Sequence, residues 1–123
     1  CANDVSERDW QQNDLQWWRA KSSDTFGPIG PYIVTGLNPS NLDVSARLNG
    51  EIVQSSNTSD LLFDVPSIIE RVSKFITLEP GDLILTGTPG TTATLNDGDT
   101  VEIEVEGIGV LSNCVTNNRN GLC

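Results

Sequence analysis

The dipeptide Asn49-Gly50 constrains the fold more than any other feature of this 123-residue sequence. Both residue types tolerate the positive φ angles that a two-residue β-turn requires. In the segment before the dipeptide, apolar residues alternate with polar ones in the period of two that marks a half-buried strand, through Leu42, Val44, Ala46 and Leu48. Residues 51–55 supply the return strand. The sequence therefore predicts an antiparallel β-hairpin.

One helix is marked both by its start and by its pattern. Asp64 is placed to cap it, and Pro66 falls in its first turn, where a missing backbone N–H does no harm. The apolar residues that follow recur at helical spacing and line one face, namely Ile68, Ile69, Val72, Phe75 and Ile76. The segment is predicted to end at Pro80 and Gly81.

Further strands are predicted on both sides of this helix. A short strand lies within residues 1–9, a helical turn follows up to Gln16, and residues 32–35 form another short strand. Residues 82–85 predict a buried strand, and the alternation over residues 101–105 predicts a strand that turns at residues 107–109 into a last one ending at Val115. We predict a mainly β unit with one helix over residues 1–115 and a polar tail over residues 116–123.

The charge balance limits the classes of partner. Seventeen acidic residues face seven basic ones, for a net charge of −10, which argues against nucleic acid and against an anionic membrane surface. No apolar run reaches membrane-spanning length and no signal peptide is visible. The three cysteines are odd in number and form no C-x-x-C pair, so we expect free thiols in a reducing, cytoplasmic compartment, with a terminal disulfide as the lesser alternative. Because the first residue is Cys1 rather than Met, we also expect a chain cut from a longer one.

The sequence contains no histidine. Within this chain, that excludes Ser-His-Asp and Cys-His nucleophilic catalysis and any zinc site with histidine ligands. The remaining chemistry rests on oxygen ligands, carboxylates, lysine and arginine.

Two stretches near the start combine such groups. Asp4 is followed by Arg8 and Gln11, which suit a substrate carboxylate or carbonyl, and an aspartate is one of the ligands that Mg²⁺ prefers. The alternative is a surface turn with ordinary ion pairs. Lys21 lies between two tryptophans and Phe26, where partial burial strengthens its interaction with an anion; the alternative is an exposed lysine beside an apolar anchor.

Two later stretches invite similar interpretations. The loop at residues 86–90 follows the predicted buried strand and offers backbone N–H groups and the Thr88 hydroxyl to an anion, or is simply a tight turn. Glu102, Glu104 and Glu106 resemble a cation site, but the strand pattern places them opposite the apolar face. We interpret these three glutamates as a solvated outer face.

Together, these stretches resemble the fumarylacetoacetate hydrolase family. The motifs that carry the resemblance follow one another in the family's order: AND-VSERDWQ, RAKSSDTFGPIGP, NGE, NTSDLLF, ITLEPGDLILTGTP and GDTVEIEVEGIGVLSN. The match runs from Ala2 to Val115 and implies the C-terminal part of the family's catalytic domain, with a fold of the mixed β-sandwich roll type. The family includes acylpyruvate and fumarylacetoacetate hydrolases, 2-hydroxyhepta-2,4-diene-1,7-dioate isomerases and oxaloacetate decarboxylases.

The resemblance implies a role for six residues. Asp4 matches a ligand of the divalent metal, Mg²⁺ or alternatively Mn²⁺ or Ca²⁺, and Thr25 matches a threonine associated with that metal. Lys21 matches the active-site lysine, and Arg8, Gln11 and Thr88 match substrate-binding positions, with Gln11 also assigned to catalysis. The family's Glu-x-Glu ligand pair and its His–Glu pair lie upstream and are absent from this sequence. Ser23 replaces a common phenylalanine, and residues 90–92 depart from the usual Gly-Val-Gly pattern.

The resemblance predicts a metal-dependent hydrolase that cleaves a C–C bond in a 2,4-dioxo acid of the acylpyruvate kind. Its partners are a small 2-oxo acid and, because members commonly dimerise, a second copy of the protein. Isomerase or decarboxylase activity on 2-oxo dicarboxylic acids is the alternative. A truncated, non-catalytic structural module is a third, because the upstream motifs are missing.

Overall fold

A computed structural model describes residues 1–117. The helices are α1 (Arg8–Asn13), α2 (Trp18–Ser22) and α3 (Val65–Ser73), and the strands are β1 (Asp43–Leu48), β2 (Glu51–Asn57), β3 (Thr100–Val105) and β4 (Gly109–Cys114). A 3₁₀ helix, Thr58–Asp60, follows β2. The prediction of a mainly β chain is confirmed, although the described residues contain two short helices, α1 and α2, in addition to the predicted helix α3. Most of the predicted polar tail lies outside the described residues.

The four strands form one antiparallel sheet in the order β2-β1-β3-β4. Both predicted hairpins are confirmed, and the first turns at Asn49 and Gly50 with φ angles of 53° and 85°. The two hairpins join through β1 and β3, where Ala46 pairs with Ile103. The sheet therefore consists of two local hairpins and one pairing between distant parts of the chain.

Asn49 ties the tip of the first hairpin to the start of β3. Its side-chain Nδ2 donates to Asp99 Oδ1 at 2.8 Å, and its Oδ1 accepts from the Thr100 N–H at 2.9 Å. Its own backbone N–H donates to the Thr100 carbonyl at 2.8 Å. Three hydrogen bonds thus fix the register between β1 and β3 at this end.

The core of the described residues is small and centred on the sheet. Its buried apolar residues are Ala20, Leu42, Ala46, Val101 and Leu111. The glutamates of β3 serve the sheet: Glu104 pairs with Arg47 of β1 at 2.6 Å, and Glu106, just after the strand, accepts from the Asp43 N–H at 3.2 Å. These contacts give Glu104 and Glu106 partners within the sheet.

Helix α3 begins as predicted. Asp64 Oδ1 accepts from the Ser67 N–H at 2.8 Å, and Pro66 lies in the first turn. Its apolar face is present but uncovered, because no residue of α3 is buried and Phe75, just beyond it, is 75% exposed. This helix has 9 residues. Within residues 1–117, no helix combines the length and the apolar character needed to cross a bilayer.

Three predicted strands differ from the structure. Residues 32–35 and 82–85 form no strand, and Ile33 and Leu83 are 95% and 64% exposed, so the prediction of a buried strand at 82–85 is wrong. The first segment makes a single bridge, between Ala2 and Ile29. A strand needs a neighbour for its backbone groups, and residues 1–117 supply none to 32–35 or 82–85.

The cysteines do not share one state. Cys1 carries a free thiol, which lies 3.3 Å from the Gly109 carbonyl oxygen. Cys114 is disulfide-bonded, so the expectation of free thiols is wrong at this position. The number and spacing of cysteines do not show which of them approach one another in the fold. Cys123 lies outside the described residues.

Candidate active site

The first residues of the chain run antiparallel to residues 28–30. Asn3 donates its N–H to the Pro28 carbonyl at 3.0 Å, and Gly30 donates to the Cys1 carbonyl at the same distance. This short pairing ends just before Asp4. It anchors the segment that carries Asp4 and Ser6.

Ala20 brings this segment against α2. It is fully buried, and its carbonyl accepts from the Glu7 N–H at 3.0 Å. Because Lys21 follows Ala20 and Ser6 precedes Glu7, that backbone contact places the two side chains together. The Lys21 ammonium lies 2.7 Å from Asp4 Oδ2 and 2.6 Å from Ser6 Oγ. The side chains of Lys21 and Asp4 are 25% and 42% exposed, so the ion pair stands at a partly open surface.

The Lys21–Ser6 contact does not make a serine nucleophile with a lysine base. Lys21 also donates to Asp4 at 2.7 Å, so its nitrogen is engaged in an ion pair and does not accept a proton from Ser6. The Ser6 hydroxyl lies 3.2 Å from the Asp4 carbonyl oxygen and donates to it. The arrangement instead holds the Lys21 ammonium in a fixed position at a partly open surface, where a negatively charged oxygen on a ligand would compete with Asp4 for it.

Helix α1 presents a second positive group. Its N-cap is Glu7, whose side chain accepts from the Asp9 N–H at 3.1 Å. Arg8, the first residue of the helix, donates from its Nη1 to Oε1 of Gln11, one turn further along, at 2.6 Å. Arg8 Nη2 donates to Thr92 Oγ1 at 3.3 Å, across 84 residues of sequence. The guanidinium is therefore held between its own helix and the loop that follows residue 86.

An ion pair braces the two helices. Arg19 donates to both carboxylate oxygens of Asp14, at 2.5 and 2.7 Å, and its guanidinium lies 4.9 Å from the centre of the Trp10 ring. The hydrogen bond from Arg19 lowers the pKa of Asp14, and the same bond raises the pKa of Arg19. Bidentate pairs of this kind fix direction as well as distance, so α1 and α2 are held in one orientation.

Thr25 and Thr88 are not drawn into these contacts. Both are exposed, and within residues 1–117 neither forms a hydrogen bond with Asp4, Arg8, Gln11 or Lys21. Thr25 has a φ of 71°, a conformation that a β-branched residue seldom adopts. The structure thus brings together four of the six predicted site residues, in the two pairs Asp4–Lys21 and Arg8–Gln11.

The described residues do not fit a metal ion by themselves. Residues 1–117 contain no group of three histidine, cysteine, aspartate or glutamate side chains able to hold one. Near Asp4 the ammonium of Lys21 already neutralises the carboxylate at 2.7 Å and repels a second cation. Since Mg²⁺ requires near-octahedral oxygen coordination, a metal at Asp4 would need ligands beyond those described.

Sequence reasoning missed three residues of this region. Ser6 contacts Lys21, Thr92 contacts Arg8, and Gln54 of β2 donates to the carbonyl of Thr91 at 2.8 Å. Ser6 lies inside the SERDWQ motif, and Thr92 lies in the segment 90–92 that departs from the family's usual pattern. Both residues therefore belong to segments that had been identified from the sequence. Nothing in the sequence around Gln54 marks it, because its partner is 37 residues away.

Comparison with solved structures shows where this fold recurs. The chain superimposes on 5-carboxymethyl-2-hydroxymuconate delta-isomerase from Mycobacterium smegmatis with a TM-score of 0.90 and 53% identity, over 94% of this chain and 46% of that one. For a fumarylacetoacetate hydrolase from psychrophilic Exiguobacterium antarcticum, the TM-score is 0.91 and the identity 43%, over 95% of this chain and 46% of that one. The fold is therefore shared with enzymes named for different reactions.

Sequence comparisons identify relatives of the same kind. Oxaloacetate tautomerase Fahd2a, mitochondrial, of Rattus norvegicus is 48% identical over 125 residues, which cover 93% of this chain and 40% of the rat protein. The chain spans about half the length of the curated relatives it matches. Residues 1–116 match the family described as "Fumarylacetoacetate (FAA) hydrolase C-terminal". The predicted resemblance and fold type are thereby confirmed: the chain belongs to the fumarylacetoacetate hydrolase family, whose named members include hydrolases, isomerases and tautomerases.

Proposed function

We propose that this chain forms part of an enzyme that binds a small 2-oxo acid and stabilises its enolate. The observation that carries the proposal is the pair of cations on neighbouring segments: Lys21, held by Asp4 and Ser6, and Arg8, held by Gln11. Ser6 touches Lys21 and stands two residues before Arg8, so both cations border one stretch of surface.

The two groups suit different parts of such a substrate. The planar guanidinium of Arg8 matches a carboxylate, to which it donates through two parallel N–H groups. The ammonium of Lys21 is a compact charge, suited to the single oxygen on which an enolate's negative charge develops. Gln11 adds an amide beside Arg8 for orientation. In this proposal, Lys21 stabilises the negative charge of the enolate, and Arg8 and Gln11 position the substrate.

The reaction we propose first is hydrolytic cleavage of a 2,4-dioxo acid. Water adds to the C4 carbonyl, and the C3–C4 bond then breaks. Its electron pair becomes the enolate of a 2-oxo acid, and a proton is then taken up at C3. Lys21 acts on the enolate in this scheme. The relative named as a fumarylacetoacetate hydrolase supports this choice.

Tautomerisation or isomerisation of a 2-oxo dicarboxylic acid is the second candidate. It passes through the same kind of enolate but requires no activated water. Relatives named as an oxaloacetate tautomerase and as an isomerase support it.

Three further properties stay proposals. A divalent metal, Mg²⁺ before Mn²⁺ or Ca²⁺, takes Asp4 as one ligand only if other carboxylates join it from beyond residues 1–117, and we assign no step to it. Thr25 and Thr88 keep their proposed places at the metal and at the substrate. A homodimer in the cytoplasm remains the proposed state, although some relatives are named as mitochondrial.

The test compares two substrates and two lysines in the complete protein. Acetylpyruvate cleavage and oxaloacetate keto–enol conversion are measured for the unaltered enzyme, for Lys21→Met and for the control Lys74→Met, which alters a surface lysine paired with Glu70. Loss of one preorganised charge predicts a fall in kcat by a factor of about 10²–10³ for Lys21→Met on the true substrate. The control should stay within about twofold.

The outcomes separate the candidates. Turnover of acetylpyruvate alone selects the hydrolase, and turnover of oxaloacetate alone selects the tautomerase. Full activity of Lys21→Met on both substrates contradicts the proposed role of that residue. If the complete protein neither binds nor converts a 2-oxo acid, the non-catalytic structural module is the better description.

A further inference from the structure

The loop at residues 86–95 is fastened to the rest of the chain at two adjacent residues. Arg8 of α1 donates to the Thr92 hydroxyl at 3.3 Å, and Gln54 of β2 donates to the Thr91 carbonyl at 2.8 Å. The two contacts approach from different elements, one a helix and the other the edge strand of the sheet. Together they determine where the loop lies relative to Arg8.

Gln54 reaches the loop from a bulge in β2. Ala46 pairs with Gln54 and Arg47 pairs with Ile52, so Val53 is an extra residue that has no partner on β1. An extra residue bends a strand and changes the direction of neighbouring side chains. Gln54 is half-buried beside Ala46, a small buried residue. The bulge thus lies next to the residue whose side-chain amide extends from the edge strand to the Thr91 carbonyl.

We propose that Gln54 is a positioning residue for the candidate active site. By holding the Thr91 carbonyl, it keeps the Thr92 hydroxyl against Arg8 Nη2 while Gln11 holds Nη1 at 2.6 Å. Both ends of the guanidinium fork are then fixed before a ligand arrives. Gln54 touches no ligand itself and acts only through the loop.

This inference rests on the proposed function and predicts which kinetic constant changes. If Arg8 holds the substrate's carboxylate in both ground and transition states, a loosened fork weakens binding without slowing the chemical step. Removing the Gln54 donor should therefore raise KM and leave kcat nearly unchanged. A loss confined to kcat is not expected, because in this proposal Gln54 acts only through the loop that positions Arg8.

The experiment uses the complete protein with two substitutions at Gln54 and one matched control. Gln54→Leu removes the amide, and Gln54→Glu keeps the shape but cannot donate to a carbonyl. The control is Gln16→Leu, since Gln16 is exposed and forms no hydrogen bond in the part of the chain that the structure describes. Two measurements are made: backbone NMR order parameters at Thr91 and Thr92, and KM and kcat on whichever 2-oxo acid the enzyme converts.

For both Gln54 variants we expect the order parameters to fall from about 0.85 to below about 0.6. We expect KM to rise by a factor of about 3 to 10, with kcat within about twofold, which is the effect of losing one net hydrogen bond. Gln16→Leu should change neither. Unchanged order parameters overturn the proposal, and so does a loosened loop with an unchanged KM.

Failure of the proposed function looks different. In that case the unaltered enzyme converts no 2-oxo acid, and the order parameters alone decide the inference. A loop that stays rigid in Gln54→Leu and Gln54→Glu overturns it, whereas a loop that loosens in both, but not in the control, supports the role of Gln54 in holding residues 91–92.

Discussion

The sheet and the α3 region, residues 65–86, contrast in how they use similar apolar patterns. In the sheet, Ala46, Val101 and Leu111 are buried, and every strand has at least one hydrogen-bonded neighbour. In the α3 region no residue of the helix is buried, and Ile69, Phe75, Ile76, Leu83 and Leu85 are exposed. An apolar pattern therefore identifies a surface suited to burial. Burial itself depends on what lies opposite.

Backbone hydrogen bonding also differs between the sheet and the α3 region. The sheet residues pair in register, whereas in residues 1–117 the amides of Leu83, Ile84 and Leu85 donate no hydrogen bond. Water is the available partner for these groups, and for that reason an isolated extended segment is not a stable strand. The strand-like sequence of residues 82–85 thus lacks only a neighbouring edge.

The largest expected contrast is in amide hydrogen exchange of the 123-residue chain. Amides of Ala46 and Ile103 should exchange slower than those of Leu83 and Leu85 by a factor on the order of a hundred or more, because only the former need the sheet to open. The measurement is exchange followed by NMR. Equal protection in both places would abolish the comparison. In any longer protein that contains this chain, protection gained at residues 83–85 would show that a neighbouring edge is supplied there.

A matched pair of leucines gives the next effect. Leu111→Ala should lower the free energy of unfolding by about 2 kcal/mol or more, because it removes a buried side chain and leaves a cavity. Leu83→Ala should change it by less than about 0.5 kcal/mol, because Leu83 is 64% exposed. Urea unfolding midpoints measure both. A comparable loss from Leu83→Ala would mean that the α3 region carries stability that its exposure does not suggest.

Acid should weaken the sheet through Asp99. Hydrogen bonds from the Asn49 side chain, then from the Asn96 N–H, lower the pKa of Asp99 in the folded state. A lowered folded pKa means that the stabilisation is complete above the unfolded value of about 3.9 and is lost as pH falls through the folded value. Urea midpoints should therefore be flat from about pH 5 upward and should decline below about pH 4.

Asp99→Asn should flatten that acid decline and lower stability at neutral pH. Asp64→Asn is the matched control in the α3 region, since the bond from Ser67 lowers the pKa of Asp64 too. It should affect the helical signal and leave the sheet's midpoint almost unchanged. If Asp64→Asn flattened the sheet's acid profile as strongly as Asp99→Asn, the two regions would be coupled.

The smallest effect separates two ion pairs. Double-mutant cycles should give about 0.5 kcal/mol for the cross-strand pair Arg47–Glu104 and about 0.3 kcal/mol for Lys74–Glu70 at α3, both reduced by solvent screening. The first pair is 30% and 41% exposed and the second 56% and 70%. Repeating the cycles in 1 M salt should lower both values, and a larger value for the helix pair would reverse the ranking.

Local signals explain which parts of the fold could be predicted. The hairpin at Asn49 and Gly50 and the start of α3 at Asp64 depend on neighbours within a few residues, and both predictions were correct. Residues 82–85 carried an equally clear pattern, but their state depends on an edge that no local signal specifies. Likewise, nothing in the cysteine spacing revealed that Cys114 is disulfide-bonded.

The candidate site divides in the same way. The motifs identified Asp4, Arg8, Gln11 and Lys21, and Arg8 does contact Gln11 three residues on. The Asp4–Lys21 ion pair spans 17 residues, and the Gln54–Thr91 bond spans 37. Contacts of this kind follow from the packing of α2 and from the bulge in β2. Neither is visible in the spacing of the residues involved.

The join between the two hairpins has a consequence for how such a chain diversifies. Residues 58–99, which include α3 and the loop held by Gln54, connect β2 to β3. The two hairpins on either side of this connection are joined by the pairing of β1 with β3. The entropy of closing a connection grows slowly with its length, by about 0.6 kcal/mol for each doubling. Insertions and deletions there cost the sheet little. As long as Asp99 keeps its hydrogen bond with Asn49, this connection can therefore change in length while the strands on either side retain their register.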